Sequence, residues 1–260
     1  MAERSVTTPQ KEHAQKTKER IKGVFSSQVL TKIGTGSTLR KSIQKSYFFV
    51  KELDDGSIEV QPLNVNYVPS GPKQVILIDE FLEKFSPEPE FYTITVMPKM
   101  RELEKTIARG DRHRKRGETF SAEMEYGNAV RVDEENVRAN FGLGLTYLER
   151  GATDKAQDIF ERLVKMESAY EAEHKHLFNE FGINLRKNKM IDQALDYYAR
   201  ALELSENDEN LCYNIARVHL ERKDIPKTVE MLTKALDINP EMPESIKFMD
   251  FLKSKGLVKT

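Results

Sequence analysis

Few residues in this 260-residue chain have the types and spacing that catalytic or ligand-binding chemistry requires. The loop 34–38, Gly-Thr-Gly-Ser-Thr, has glycines like those of a phosphate-binding loop. Such a loop needs Gly-Lys-Ser/Thr after its glycines, because backbone N–H groups cradle the phosphate while the lysine neutralises it. Here Ser-Thr-Leu-Arg follows instead. This loop therefore argues against nucleotide binding.

The sequence contains no recognisable metal set or activated nucleophile. Its one cysteine, Cys212, rules out an internal disulfide and lies in an apolar helical pattern typical of a small core residue. Of the five histidines only His174 and His176 are close, and an i, i+2 spacing on a helix points them to different faces. No Gly-x-Ser-x-Gly motif occurs. We therefore expect no enzyme activity, no metal and no cofactor.

Basic residues form two suggestive patterns. Lys41, Lys45, Tyr47 and Phe49 alternate along one face if 41–50 is a strand, and such a face can bind phosphates and stack bases. The run 112–116 ends a predicted helix, where cations complement the helix dipole or contact an acidic partner or nucleic acid. A possible basic patch comprises Arg40, Lys41, Lys45, Arg112, Arg114, Lys115 and Arg116. The plainer alternative is ordinary solvated surface.

Composition favours a fold with much surface per residue. Hydrophobic residues make up 38% and charged residues 32%, a balance typical of elongated helical repeats. The formal net charge is −1, which gives no global attraction to nucleic acid or membrane. Residues 1–51, however, carry eleven Lys or Arg against three Asp or Glu, so a basic front end precedes an acidic body.

The N-terminus lacks the apolar segment of a secretory signal, and no stretch approaches the roughly 18 apolar residues of a membrane helix. We therefore expect a cytoplasmic protein without a membrane span. Homo-oligomerisation stays open.

The first hundred residues predict a basic tail and a small β-containing module. Residues 24–33 have the β-branched content of a strand, and two β-rich runs flank the turn Asp54-Asp55-Gly56, which is a hairpin signal. Residues 75–85 begin as a strand and pass into a helix that ends before Pro87 and Pro89. Residues 91–97, rich in Thr, Ile and Val, are expected to return to the sheet. Pro98 then suits the first turn of a long helix.

Beyond Pro98 a helical pattern recurs at about 34 residues, with copies starting at Leu103, Val137, Lys175 and Glu209. Position 8 of the copies reads Gly110, Gly144, Gly182 and Ala216; position 20 reads Ala122, Ala156, Ala194 and Thr228; position 24 reads Tyr126, Phe160, Tyr198 and Leu232. Positions 27 and 28 are also apolar throughout. Small residues let paired helices approach closely, and the large residue at position 24 fills the space between hairpins. A generic helical bundle with coincidental spacing is the alternative.

These columns resemble the tetratricopeptide repeat (TPR) family. The resemblance implies a mostly α fold, an α-solenoid forming a right-handed superhelix of helical hairpins, with a small N-terminal α+β module. The expected organisation is a flexible basic tail (1–20), the module (21–97), four hairpins within 98–241 (103–136, 137–170, 175–208, 209–242), and a capping helix and tail (242–260).

The resemblance also implies a partner-binding groove along the first helix of each hairpin, at positions 2, 5, 9, 12 and 13. The predicted groove residues are Arg138, Phe141, Leu145, Leu148, His176, Asn179, Ile183, Arg186, Lys187, Asn210, Tyr213 and Arg217. Their apolar side chains would anchor a peptide, their asparagines would hold its backbone, and their cations would meet a carboxylate.

Relatives that bind chaperone C-termini carry lysine at position 5 and asparagine at position 9. Here those positions hold Ile107/Asp111, Phe141/Leu145 and Asn179/Ile183, so chaperone-tail binding is disfavoured.

Two functions stay in competition. The first is a non-catalytic adaptor or scaffold whose groove binds a partner protein or peptide. The second is nucleic-acid or anionic-ligand binding through the basic N-terminal module, with the repeats as an assembly platform. An enzymatic N-terminal module has no residue constellation behind it.

Overall fold

A computed structural model describes residues 20–33, 40–170, 174–204 and 207–258. The predicted loop 34–38 and, apart from Arg20, the predicted tail lie outside these residues. The chain is mostly helical with a small antiparallel sheet near its N-terminus, which confirms the predicted fold class.

Five strands and eleven helices occur in the described residues. The strands are β1 (Lys22–Ile33), β2 (Arg40–Glu52), β3 (Ile58–Pro62), β4 (Gln74–Ile76) and β5 (Ser86–Pro87). The helices are α1 (Ile78–Lys84), α2 (Pro89–Phe91), α3 (Met97–Lys115), α4 (Thr119–Val132), α5 (Val137–Glu149), α6 (Thr153–Lys165), α7 (Lys175–Lys187), α8 (Ile191–Leu204), α9 (Glu209–Glu221), α10 (Ile225–Ile238) and α11 (Pro243–Ser254). A π-helical segment spans Tyr92–Val96, and a short 3-10 helix spans Glu167–Tyr170.

The sheet has the strand order β4-β3-β2-β1-β5. β1 and β2 pair antiparallel over their full length, from Lys22 opposite Lys51 to Ile33 opposite Arg40. The predicted hairpin turn between β2 and β3 is confirmed, and Gly56 there has a φ of 84°, a conformation that glycine adopts without strain.

The core of the sheet unit lies between the sheet and α1. Val50, Ile58 and Val60 are buried together with Phe81 of α1. The rings of Phe25 and Phe81 meet edge to face, with centroids 4.9 Å apart. Residues 75–85 thus form a strand and then a helix, as predicted.

The prediction that residues 91–97 return to the sheet is wrong. Residues Tyr92–Val96 are π-helical and run directly into α3, whose first turn contains Pro98. The β-propensity of Thr, Ile and Val is a weak preference that a neighbouring helix overrides. Val96 is fully buried in this helical conformation.

Contacts divide the chain into two units, and the division does not follow the sequence order. Among the described residues, those up to 61 and 73–89 form the sheet unit, whereas 62–72 and those from 90 onward form the helical unit. The segment 62–72 is bound to the end of α4: Asn64 Nδ2 and Asn66 Nδ2 each donate to the Val132 carbonyl oxygen at 2.9 Å. Val68 is fully buried in the same core as α3, α4 and α5. This segment therefore caps the first hairpin.

The helical unit consists of successive hairpins, α3–α4, α5–α6, α7–α8 and α9–α10, followed by α11. First helices contact one another, α3 with α5, α5 with α7 and α7 with α9. The second helices α6 and α8 also contact each other. The helices thus form two layers, as expected for stacked helical repeats.

The predicted small-residue and aromatic columns pack directly on each other. A Cβ built on Gly110 would lie 2.8 Å from the Tyr126 ring, and one built on Gly142 of the next hairpin only 2.4 Å from it. Tyr198 approaches Gly182 equally closely, at 2.4 Å. Any larger side chain at these glycines would displace a buried tyrosine.

The turn between the two helices of each hairpin has the same geometry in all four copies. Position 15 has a positive φ in Gly117 (73°), Gly151 (69°), Lys189 (63°) and Lys223 (61°). The next residue donates its N–H to the carbonyl of position 11 at 2.9–3.0 Å, in Glu118, Ala152, Met190 and Asp224. This is a left-handed helix C-cap, a conformation that costs lysine more than glycine.

The last helix, α11, packs on α10. Leu252 is fully buried, whereas Ile246 is 40% exposed. Phe248 contacts Tyr213 of α9, with ring centroids 6.0 Å apart. In the described part of the chain, no helix is long and apolar enough to cross a membrane.

Candidate functional site

All twelve predicted groove residues lie on α5, α7 and α9, and we call the surface of α3, α5, α7 and α9 the first-helix face. The predicted groove residues on this face differ in their surroundings. Some are core, some are tied into ion pairs, and a group on α7 and α9 is left with free bonding capacity.

Three predicted groove residues are wrong, because Phe141, Leu145 and Leu148 are buried core. The Phe141 ring packs edge to face on Phe181 at 5.6 Å and on Tyr197 at 6.3 Å. The physical reason is that α5 contacts helices on several sides, namely α3, α4, α6 and α7. A helix that is apolar all round is a buried helix, and the near-continuous apolar run 139–148 was the signal for this.

The α3–α5 part of the first-helix face is closed by its own ion pairs. Tyr126 Oη donates to Asp111 Oδ1 at 2.7 Å, and Arg138 pairs with the other oxygen of the same carboxylate. Burial, and then the bond to Asp111, raise the pKa of Tyr126, so this phenol stays protonated. Arg138 was predicted as a groove residue, but its guanidinium already has a carboxylate.

Arg114, predicted as part of a basic patch, is also bound within the chain. Its Nε donates to Glu149 Oε1 at 2.9 Å, and its Nη2 contacts Glu180. It therefore links α3 to α5 and α7 and has little charge left for a ligand.

The α7–α9 part of the face is different. The Asn179 Oδ1 atom is buried and has no hydrogen-bond partner among the described residues. The Arg217 guanidinium lies 5.7 Å from the Tyr213 ring centroid, and no described carboxylate pairs with it. A buried amide oxygen without a donor is costly.

The charge here is positive. Burial raises the pKa of Tyr198, while the nearby charges of Arg186 and Arg217 oppose that rise, so both guanidinium groups act on this hydroxyl. Arg186 pairs with Glu221, which also meets Lys189 Nζ at 3.5 Å. Although burial opposes ionisation, these cations lower the pKa of the Glu221 carboxyl. Two cations thus share one carboxylate, and Arg217 has none.

The remaining predicted groove residues border this area. His176, Lys187 and Asn210 are exposed, and Ile183 is partly exposed. Ile183 occupies position 9 of its copy, where the first copy has Asp111. Position 9 therefore supplies a carboxylate beside Tyr126 in the first copy and an apolar side chain in the third.

The other predicted basic residues divide into paired and unpaired cations. Lys45 Nζ pairs with Glu88 and lies 5.3 Å from the Tyr47 ring centroid. The side chains of Arg40 and Lys41 lie outside the described residues. At the end of α3, Arg112, Lys115 and Arg116 are exposed and have no ion-pair partner in the described chain.

Cys212 is buried beside Ala235 and Met242. Burial raises the pKa of its thiol, so the reactive thiolate is disfavoured. The described residues contain no group of three or more His, Cys, Asp or Glu that could hold a metal ion.

Comparison with known proteins gives a family match and distant relatives. The model of the tetratricopeptide repeat family matches residues 107–171. The chain is 26% identical over 132 residues to anaphase-promoting complex subunit 3 of Schizosaccharomyces pombe, covering 51% of this chain and 19% of that protein. It is 40% identical over 65 residues to the Hsp70-Hsp90 organising protein of Plasmodium falciparum, covering 25% and 11%.

Among solved structures, that of PilF from Pseudomonas aeruginosa superposes with a TM-score of 0.47 at 20% identity, over 59% of this chain and 68% of that one. The chain spans at most about a fifth of the length of the two curated relatives named above.

Proposed function

We propose that this chain is a non-catalytic adaptor that binds an acidic segment of a partner protein on α7 and α9. The match of the tetratricopeptide repeat model to residues 107–171, and the helical hairpins that continue beyond it, support this role. We call the proposed site, made of Asn179, Arg186, Tyr213 and Arg217, the α7–α9 site. The two curated relatives are, by their names, a subunit of a complex and an organiser of two chaperones, which supports an assembly role.

The observation that carries the proposal is the unmet bonding capacity of Asn179 and Arg217. The buried Asn179 Oδ1 can accept a backbone N–H from an extended segment, which would remove the cost of its present isolation. Arg217 can form two parallel hydrogen bonds to a carboxylate. Tyr213, stacked beside Arg217 and packed on Phe248, offers an apolar flank.

A chaperone C-terminus is not the proposed ligand. The lysine and asparagine that such sites use at positions 5 and 9 are absent, and Asn179 and Ile183 stand at those positions in α7. The proposal is therefore for acidic segments in general, read by arginine and an amide.

The test is selection of peptides from a random phage-displayed library on the purified full chain. Selected peptides should be enriched in Asp and Glu, and Arg217→Gln should weaken their binding by about tenfold or more, as expected for loss of a charge-assisted contact. Arg222→Gln is the matched control, because Arg222 follows on from the same helix but pairs with Asp192. Selection of the same peptides, at equal affinity, by wild type and by Arg217→Gln would refute the proposal.

The hypothesis that the N-terminal module binds an anionic ligand is supported only by the excess of Lys and Arg in residues 1–51. Of the predicted patch residues in that module, Lys45 is the one whose side chain is described, and it is occupied by Glu88, which also accepts from Ser26 Oγ at 2.7 Å. We therefore favour the α7–α9 site.

A further inference from the structure

The outer face of α4 exposes large apolar side chains. Phe120 is 74% exposed and Met124 is 58% exposed. Their i, i+4 spacing puts them on one side of the helix, and Gly127 follows on the same side at i+7. We call these three residues the α4 face.

The equivalent positions of the other three hairpins are mostly acidic or polar. Position 18 holds Phe120, then Asp154, Asp192 and Pro226; position 22 holds Met124, then Asp158, Asp196 and Glu230; position 25 holds Gly127, then Glu161, Ala199 and Thr233. Apart from Gly127, which is partly exposed, all of these residues are exposed. An ordinary solvated face should resemble copies two to four. The first copy departs from that pattern at all three positions at once.

Gly127 has no structural reason to be glycine within this chain. A Cβ built on it meets nothing within 4 Å, in contrast to the crowded Gly110 and Gly142. Glycine inside a helix costs about 1 kcal/mol relative to alanine. An open glycine in the middle of an exposed apolar stripe leaves room for a second backbone to approach closely.

The surroundings of the α4 face hold Phe120 in place. The Arg150 guanidinium lies 3.9 Å from the Phe120 ring centroid and pairs with Glu123. Lys155 Nζ lies 3.2 Å from the same Glu123 carboxylate. One side of the ring is thus fixed by a cation, while most of its area remains open to a partner.

Unpaired cations lie near both ends of α4. Arg116, the C-cap of α3, lies three residues before α4 begins at Thr119 and is exposed. Arg131, in the last turn, bonds only to the Asn128 side chain and to the Gly127 carbonyl, and no described carboxylate pairs with it. The stripe therefore has an apolar centre, with one unpaired cation shortly before the helix and another in its last turn.

We propose that the α4 face binds an acidic amphipathic helix of a partner protein. Its apolar side chains would pack on Phe120 and Met124, its backbone would approach Gly127, and its carboxylates would meet Arg116 and Arg131. Two copies of this chain would fit poorly, because pairing α4 with itself, in either direction, brings arginine ends against arginine ends. This proposal is independent of the α7–α9 site.

The test uses two fluorescent helical peptides of about 18 residues, long enough to span the stripe. Both have leucines at i, i+3, i+4 and i+7 spacing; one has glutamates at its other positions and the other has lysines. The full chain should bind the glutamate peptide at least about tenfold more tightly. Gly127→Leu should weaken that binding about tenfold or more by filling the approach.

The variants separate binding from folding. Gly127→Leu should not impair folding, since its site is open and leucine favours helix. Ala199→Leu, at the exposed equivalent position of the third hairpin, is the matched control and should bind like wild type. Equal affinity for both peptides, or unchanged binding by Gly127→Leu, would overturn the proposal. A wild-type dimer in light scattering that Gly127→Leu dissociates would assign the face to a second copy instead, which also overturns it.

Discussion

The two halves of the first-helix face have the same backbone arrangement and opposite electrostatic character. In the half formed by α3 and α5, a tyrosine at position 24 donates to Asp111, and Arg138 completes the same carboxylate. In the half formed by α7 and α9, the equivalent Tyr198 lies near two arginines, and position 9 is Ile183. In the first half Arg138 has a carboxylate, whereas in the second half Arg217 has none among the described residues.

This difference teaches that a repeat fold does not by itself define a binding surface. Phe141 and Tyr213 occupy the same position 5, yet Phe141 is fully buried and Tyr213 is only partly buried. What differs is the packing around them, since the crowded α5 is flanked by four helices. The binding capacity of a repeat array must therefore be read copy by copy.

Truncating the two equivalent aromatic residues gives the largest expected contrast. Phe141→Ala should reduce the free energy of unfolding by about 3–5 kcal/mol, because it opens a cavity in the aromatic core. Tyr213→Ala should cost clearly less stability but should weaken acidic-peptide binding. Urea unfolding of both variants measures the first effect, and fluorescence anisotropy measures the second. Equal losses of stability would contradict the distinction between core and surface.

The next largest effect is expected when the carboxylate found at position 9 in the α3–α5 half is introduced into the α7–α9 half. Ile183→Asp places at position 9 the carboxylate that the first copy has in Asp111. It should pair with the cations of the α7–α9 site and reduce acidic-peptide affinity by about tenfold or more, since the peptide then meets a competing charge. Ile183→Asn keeps the polarity without the charge and should reduce affinity much less. Equal acidic-peptide affinities of the two variants would mean that the missing carboxylate at position 9 is not what allows this half to bind an acidic segment.

Lowering the pH should reduce the stability of the folded chain through His219 on α9, in the second half of the first-helix face. Burial lowers the pKa of this imidazole, although Asp224, whose carboxylate lies 4.0 Å away, opposes the shift. The folded chain therefore binds this proton less readily than the unfolded chain, and stability should fall as the pH drops below about 6.5. His219→Gln should flatten this part of the profile in urea unfolding at a series of pH values, with His176→Gln as control. An unchanged profile in His219→Gln would exclude this contribution.

Substitutions at position 15 should have the smallest effect on the free energy of unfolding, and their sign should differ between the first two copies and the last two. The first two copies have glycine there and the last two have lysine, all with positive φ. Gly151→Lys should lower the unfolding free energy by about 1 kcal/mol, whereas Lys223→Gly should raise it by up to about 1 kcal/mol. Thermal unfolding of the two variants tests these opposite signs. Changes of the same sign in the two variants would mean that backbone strain does not determine whether glycine or lysine is the more stable residue at position 15.

Much of the helical architecture could be predicted from the sequence because close packing restricts residue type. Gly110 and Gly182 must be small where a tyrosine ring lies against them, and such restrictions recur at a fixed period. The conserved geometry at position 15 was missed, since Lys189 and Lys223 adopt a conformation that residue type alone does not reveal.

The site was harder to predict than the fold. Repeat position indicated a groove through Phe141, Leu145 and Leu148, but burial depends on how many helices surround α5, which is a tertiary property. Likewise, no sequence pattern distinguishes Arg138, which has a carboxylate, from Arg217, which has none. Residues 91–97 were predicted wrongly because local propensity cannot see the helix that follows.

The repeat array depends on the segment 62–72, which is separated from α3 in the chain by two strands and two helices. Cutting the protein before residue 90 would remove both amides that satisfy the Val132 carbonyl, together with Val68 from the core. We therefore expect the repeats to be a poor candidate for transfer between proteins as one contiguous cassette. Any shuffling of this array in evolution would have had to carry the sheet strands along with it.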